Sequence, residues 1–268
     1  MSDSGWHRTI LSGVRELVSQ VQLGVKGLIS QPDSEAAQEI QVRLLPRETP
    51  QLAGFEIACA WHPARSVSGD YFDVLTLSEN KAALCIADVS GKGVAAALLM
   101  SNLQASVKAF AQEGVSPPTL CAKLNQTLCD NIAPGRFVTV FYGVLDGRNR
   151  TLEYESAGHC WSLLMHSDGT VDFLEASSGV LGLFSHWTYS DHEVKLAAGD
   201  VLVVMTKGLL EAENAKGEEF GYRRLIDSVL ASRAQGADGI RKSVLEDVMA
   251  FCNGQLQDDV SMIVVAVE

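Results

Sequence analysis

Clustered positive charge is what this sequence lacks most. Its 21 Lys and Arg residues are outnumbered by 33 Asp and Glu, giving a formal charge of −12. Phosphate backbones and anionic lipid surfaces both demand grouped cations, so a nucleic-acid or membrane partner is not expected. No apolar run approaches the ~20 residues that span a bilayer. The N-terminus has no basic start followed by an apolar core, so it does not read as a secretion signal, and a cytoplasmic location is expected. Six cysteines (Cys59, Cys85, Cys121, Cys129, Cys160, Cys252) form no C-x-x-C pair and no metal-ligand spacing. They read as buried reduced thiols in a chain too long to need staples. Internal repeats and low-complexity segments are also missing.

What is present is an ordinary globular composition, 47% apolar and 20% charged, over 268 residues. That suffices for one large domain with a proper core, or a domain with an appendage. Leu11, Val14, Val18, Val21, Val25 and Leu28 follow alternating spacings of three and four, a heptad seam weakened by Gly13, Gly24 and Gly27. The seam is either a self-association helix, giving a homodimer, or a helix lying on its own domain. "SQPDSEA" is expected to break it, with Asp33 or Ser34 capping a short second helix that stops at Pro46. Residues 1–38 are thus read as an N-terminal helical segment for dimerisation or signal coupling, and 39–268 as the main domain.

From Gly54 onward the pattern turns to strands. "FEIACAWHPA", "GDYFDVLTLS" and "KAALCIADVS" are short apolar runs separated by turn residues. "GVAAALLMSNLQASVKAFAQ" is a helix apolar around much of its surface, hence expected to be buried, and "PPTLCAKLNQTLCDNIA" opens a second helix on proline. More strands follow in "FVTVFYGVLD", "TLEYESAGH", "WSLLMHSDGTVDFLE" and "VLVVMTKG". A helical stretch near 222–251, interrupted around Gly236–Gly239, precedes a last strand in "DDVSMIVVAVE". Sheets packed together with helices outside are the expected result, an α+β fold.

Three acids share one setting. Asp70 in "VSGDYFDV", Asp88 in "CIADVSGKG" and Asp258 in "LQDDVSMIVV" each stand beside an apolar strand and next to a turn or strand start. Carboxylates with backbone carbonyls and water are the ligands of hard divalent cations such as Mg²⁺ or Mn²⁺. Each acid read singly is more often a turn residue or helix cap than a metal ligand.

Taken in order, "PARSVSGDYFDV", "ADVSGKGVAAALLM", "FVTVFYGVLD", "SAGH", "TKGLLEAENAKGEEFG" and "DDVSMIVV" resemble the SpoIIE-like branch of the PPM family of metal-dependent Ser/Thr protein phosphatases, across about residues 40–268. The preceding "IQVRLLPRETPQLAGFEIA" resembles the segment that leads into this domain in bacterial regulators. The resemblance implies an αββα sandwich, two antiparallel sheets flanked by helices, with a dinuclear Mn²⁺ or Mg²⁺ centre at one edge. On it, Asp88 matches the bridging carboxylate, Asp70 a ligand of one metal with the Val89 carbonyl beside it, and Asp258 a ligand of the other. Paired cations of this kind polarise a phosphoryl group and activate a water for in-line attack. The substrate implied is phosphoserine or phosphothreonine on a regulatory protein, an anti-anti-sigma factor of STAS fold in bacterial partner switching.

One position departs from the pattern. Where the family reads T-D-G-x-x-E-A, with the Asp a ligand of the same metal as Asp258, this chain has Lys207. The pocket shifts by two charge units, and a unit pair at 4 Å is worth roughly 4 kcal/mol at an effective dielectric of 20. The second metal is therefore expected to bind poorly, leaving one cation. Three readings of Lys207 stay open: its ammonium stands in for the missing cation, or the domain is a pseudophosphatase that binds a phosphorylated partner without cleaving it, or the side chain turns outward. His159 is either a proton donor or a structural hydrogen-bonding residue, and Glu211 orients the strand end or forms a salt bridge. Asp259 is expected to face a helix terminus or water. Ser68 stands where the family often has Gly. Ser90 has no evident base and is not read as a nucleophile. An unrelated metal hydrolase such as a nuclease fits the carboxylates but not the acidic balance.

Overall fold

A computed structural model describes residues 31–268. The heptad seam from Leu11 to Leu28, and with it the dimerisation reading, lies outside these residues. Two five-stranded antiparallel sheets face each other. One runs β1 (Phe55–His62), β10 (Val260–Val267), β9 (Val201–Met205), β6 (Ser162–Met165), β7 (Val171–Leu174). The other runs β2 (Asp70–Ser78), β3 (Lys81–Val89), β4 (Val138–Asp146), β5 (Thr151–Ala157), β8 (His192–Lys195). Helices α2 (Val94–Phe110) and α3 (Pro117–Asn131) cover the second sheet, and α5 (Gly221–Ser232) with α6 (Gly236–Phe251) cover the first. This is the expected αββα sandwich.

The strand period explains the layering. Leu202 and Val204 of β9, with Ile263 and Val265 of β10, enter the core between the sheets. Their neighbours Val203, Met205, Met262 and Val264 face the helices, meeting Leu225, Val229, Ile240 and Val244. Both faces are covered, so these strands read as continuous apolar runs rather than alternating ones.

Three expectations change. The described part of "SQPDSEA" is helical: α1 spans Gln31–Leu44 with Asp33 and Ser34 inside it, not at a cap, and the break expected before it lies outside the described residues. The border drawn between residues 38 and 39 falls within this helix. Only one face of α2 is buried (Ala96, Met100, Leu103, Val107), and Leu98 is 68% exposed on the other. The strand expected to end on Lys207 stops at Met205, and Lys207 opens the single-turn α4 (Lys207–Leu210). All six cysteines are free; Cys85, Cys121 and Cys252 are buried as expected, and Cys59, Cys129 and Cys160 only partly.

Candidate active site

The edge of the sandwich where β2 begins and β3 ends gathers the predicted acids. Asp70 and Asp88 are direct partners in the β2–β3 register. Asp258 precedes β10, close enough that its charge acts on Asp88. The loop after β3 turns through Gly91 at φ +100°, a left-handed conformation that favours glycine, and an added Cβ there would collide with Arg136. Gly208 has a different reason: any side chain would strike the Asp259 carbonyl, so α4 lies directly on the "DD" turn. Gly69 lets the chain pass the Val89 carbonyl, which a Cβ would meet at 3.0 Å.

Asp70 is 2% exposed. Its Oδ2 accepts hydrogen bonds from the hydroxyls of Thr206 (2.8 Å) and Ser261 (2.6 Å). Its backbone N–H donates to Ser68 Oγ at 3.0 Å. Ser68 is itself gripped by Gln41 of α1, whose side chain donates to the Ser68 carbonyl and accepts from its N–H. The departure from Gly at 68 thus supplies a hydroxyl that holds the start of β2. Asp259 is half-buried, and its side chain has a role the sequence did not show. It accepts the N–H groups of Ala64 (2.8 Å) and Gly69 (3.1 Å), pinning the loop before Asp70 to the start of β10.

Electrostatics divide the edge. Burial, then the Asp88 charge, push the Asp70 carboxyl well above its usual range, against the pull of the two hydroxyls. Asp88 is pushed up to about 6, chiefly by burial, with Asp258, Asp259 and Glu211 adding to the rise and Lys207 opposing it. No ion pair involves Asp70 among the described residues, whereas Lys207 Nζ stands 3.9 Å from Asp88 Oδ2. Lys92 Nζ lies 3.2 Å from Asp258 Oδ1 and donates to the Gln257 carbonyl at 2.8 Å. Lys92 was missed in the sequence, because its partners lie 165 residues and more away.

The fit to metal follows this division. Asp70, Asp88 and the Val89 carbonyl offer an all-oxygen donor set to one hard cation. Lys92 pairs with Asp258 and Lys207 with Asp88, so the Asp258 side already carries positive charge and does not suit a second. Among the described residues, no group of three or more His, Cys, Asp or Glu side chains is arranged to hold a metal ion.

His159 is buried and bridges two elements. Its Nε2 meets the Met205 carbonyl at 2.9 Å, so that nitrogen donates, and Nδ1 accepts from the Thr139 hydroxyl at 3.0 Å. Burial pushes its pKa down to about 4, leaving it neutral and structural. Ser90 Oγ accepts the Phe137 N–H at 2.8 Å, a loop tie rather than a nucleophile. Glu211 is exposed and forms no ion pair among the described residues.

Residues 78–268 match the family described as Stage II sporulation protein E (SpoIIE). The chain belongs to the SpoIIE family of PPM-type protein phosphatases. Phosphoserine phosphatase RsbU of Bacillus subtilis is 30% identical over 233 residues, covering 86% of this chain and 68% of RsbU. Protein IcfG of Synechocystis is 27% identical over 280 residues, 94% of this chain but only 44% of IcfG, so the chain spans less than half of that relative. The SiaA-PP2C domain of Pseudomonas aeruginosa superposes with a TM-score of 0.77 at 20% identity, over 94% of this chain and 98% of that one. RsbX, described in complex with magnesium, gives 0.64 at 16% identity over 82% and 99%. Both share the fold, and divalent-metal dependence is typical of the family. No helix among the described residues is long and apolar enough to cross a membrane.

Proposed function

We propose that this chain hydrolyses phosphoserine or phosphothreonine on a regulatory protein with the help of one divalent cation, Mn²⁺ or Mg²⁺. The observation that carries the reading is the cross-strand pair Asp70–Asp88, a buried acid with no cation paired to it beside a second acid whose pKa is raised. Two carboxylates this close are stable together when protonated or when a cation lies between them. Asp70, Asp88 and the Val89 carbonyl would hold that cation, which when bound supplies Lewis acidity and a water of lowered pKa. Thr206 and Ser261 orient Asp70 through its Oδ2, leaving Oδ1 without a hydrogen bond among the described residues. Lys207 supplies one positive charge where a second cation would otherwise offset Asp88. Asp258 is held by Lys92 and contributes charge to Asp88. The substrate in view is the phosphorylated form of a STAS-type anti-anti-sigma factor, in line with the RsbU relative's name as a phosphoserine phosphatase.

A second reading, binding of the phosphoprotein without cleavage, is favoured by Lys207 alone: an ammonium 3.9 Å from Asp88 repels a cation seeking the same carboxylate. Phosphate release from p-nitrophenyl phosphate across a Mn²⁺ titration, for the native chain and Lys207→Asp, separates the two. Turnover by the native chain with at most a modest gain in the variant supports hydrolysis with one cation. An inert native chain and an active variant would make binding the natural role.

A further inference from the structure

A groove runs beside the candidate active site and belongs to no step so far described. One wall is the exposed face of α2, with Leu98, Leu99 and Asn102. The other is the turn after α3, with Ile132 and Arg136. Leu98 is the most exposed large apolar side chain among the described residues, on a helix whose opposite face is fully buried. The apolar surface continues past the groove: a Cβ added at Gly182 would meet Ile132 at 3.2–3.5 Å, and Leu183 and Phe184 follow that glycine, both exposed. Asn125 fixes that strip by bonding the Gly182 N–H and the Phe184 carbonyl, so it is a built surface.

The groove ends on the catalytic loop. Arg136 donates from Nη1 to the Ser90 carbonyl at 2.6 Å, two residues beyond Asp88. It has no carboxylate partner among the described residues, in a chain where acids outnumber bases by twelve. A guanidinium has five N–H donors in a planar fork, and one bond to a carbonyl leaves the others for an anion. An apolar channel with an unpaired cation at its active-site end is complementary to a chain segment carrying apolar residues next to a phosphoryl group.

We propose that this groove seats the apolar residues flanking the phosphoserine of the substrate protein, with Arg136 at the phosphorylated end. The proposal rests on the reading of the Asp70–Asp88 edge as a phosphatase site. Specificity then comes from the groove, which would select phosphoproteins with apolar side chains next to the modified residue.

The test uses two short phosphoserine peptides of equal charge, one with leucines flanking the phosphoserine and one with serines. Fluorescence anisotropy measures binding to the full chain with a chelator in place of Mn²⁺, so that the peptide is not consumed, for the native protein and for Leu98→Asp, a change at an exposed position. The native chain is expected to prefer the leucine peptide by about tenfold, and Leu98→Asp to abolish the preference. A native ratio near one, or a preference that survives in the variant, overturns the proposal. So does a native dimer that Leu98→Asp splits on a sizing column, because the groove's occupant is then a second copy. Phosphate release from p-nitrophenyl phosphate by the native chain reports separately on the phosphatase reading: its failure with an intact peptide preference leaves the groove standing, and turnover without preference removes the groove alone.

Discussion

The two halves of the acidic edge solve one electrostatic problem in opposite ways. On the Asp70 side, a buried carboxylate meets two hydroxyls and another carboxylate, and no ammonium. On the other side, Lys92 pairs with Asp258 and Lys207 with Asp88, positive charge from within the chain. Hydroxyl donors stabilise a buried anion only in part, so the first half is left with a deficit that an external cation can fill. The second half has no such deficit. A cation-dependent site and an internally neutralised one therefore sit side by side, and Asp88 belongs to both.

Removing Asp88 breaks the contrast most severely. Asp88→Asn takes away the charge shared by the two halves, and a metal's stabilisation of the transition state is worth several kcal/mol. Phosphate release is expected to fall at least about 100-fold. The same variant should lose the Mn²⁺-induced rise in melting temperature expected of the native chain. An Asn variant that keeps both would move the cation elsewhere.

His159 tests what lies behind the Asp70 side. It is neutral in the fold, with a pKa near 4 against 6.5 unfolded. Its contribution is fully present above about pH 6.5 and is lost as pH falls toward 4, because the unfolded chain takes up a proton that the folded chain refuses. The raised carboxylates act with the opposite sign over part of that window, so total stability does not isolate the histidine. The difference in unfolding free energy between native and His159→Gln does. That difference is expected to shrink by roughly 3 kcal/mol between pH 6.5 and 4 in urea titrations. A difference independent of pH would show His159 to be solvated.

Ser261→Ala removes one of the two hydroxyl donors to Asp70. A hydrogen bond is worth about 0.5–1.5 kcal/mol, and more where its acceptor is charged, and that loss should appear in urea unfolding with a chelator present. Saturating Mn²⁺ should recover part of it if the cation takes over the charge. A loss indifferent to Mn²⁺ would assign Ser261 to packing alone.

How much of this was legible in the sequence depends on the range of each interaction. The β3 strand, its glycine turn and α2 are local patterns, and apolar period with turn chemistry found them. The resemblance ordered Asp70, Asp88 and Asp258 before any geometry was known. The edge strand β8 escaped because His192–Lys195 is short, half exposed and without an apolar alternation, and it exists only by pairing with β5. Asp259 was misread and Lys92 passed over for the same reason: each finds its partners through chain folded back across more than 160 residues. The clamp of Gln41 on Ser68 is equally non-local, and nothing in the periodicity of α1 marks it.

The smallest expected effect sharpens the contrast most finely. Lys92 and Asp258 are both partly exposed, and such a pair contributes at most about 1 kcal/mol to stability. Lys92→Met should therefore leave the melting temperature nearly unchanged without metal. Alone it should also change Mn²⁺ stoichiometry little, because Lys207 still faces Asp88. Combined with Lys207→Asp the outcome differs, since that substitution restores a carboxylate where Asp258 is newly free of its ammonium. Calorimetric titration is expected to give one Mn²⁺ per native chain and two for the double variant, with the second site's affinity exceeding the sum of the single effects. Changes at groups that share one position are coupled in this way, whereas independent groups add. Strict additivity would mean that the two lysines do not guard the same place, and the division of the edge into an open and a closed half would fail at Lys92.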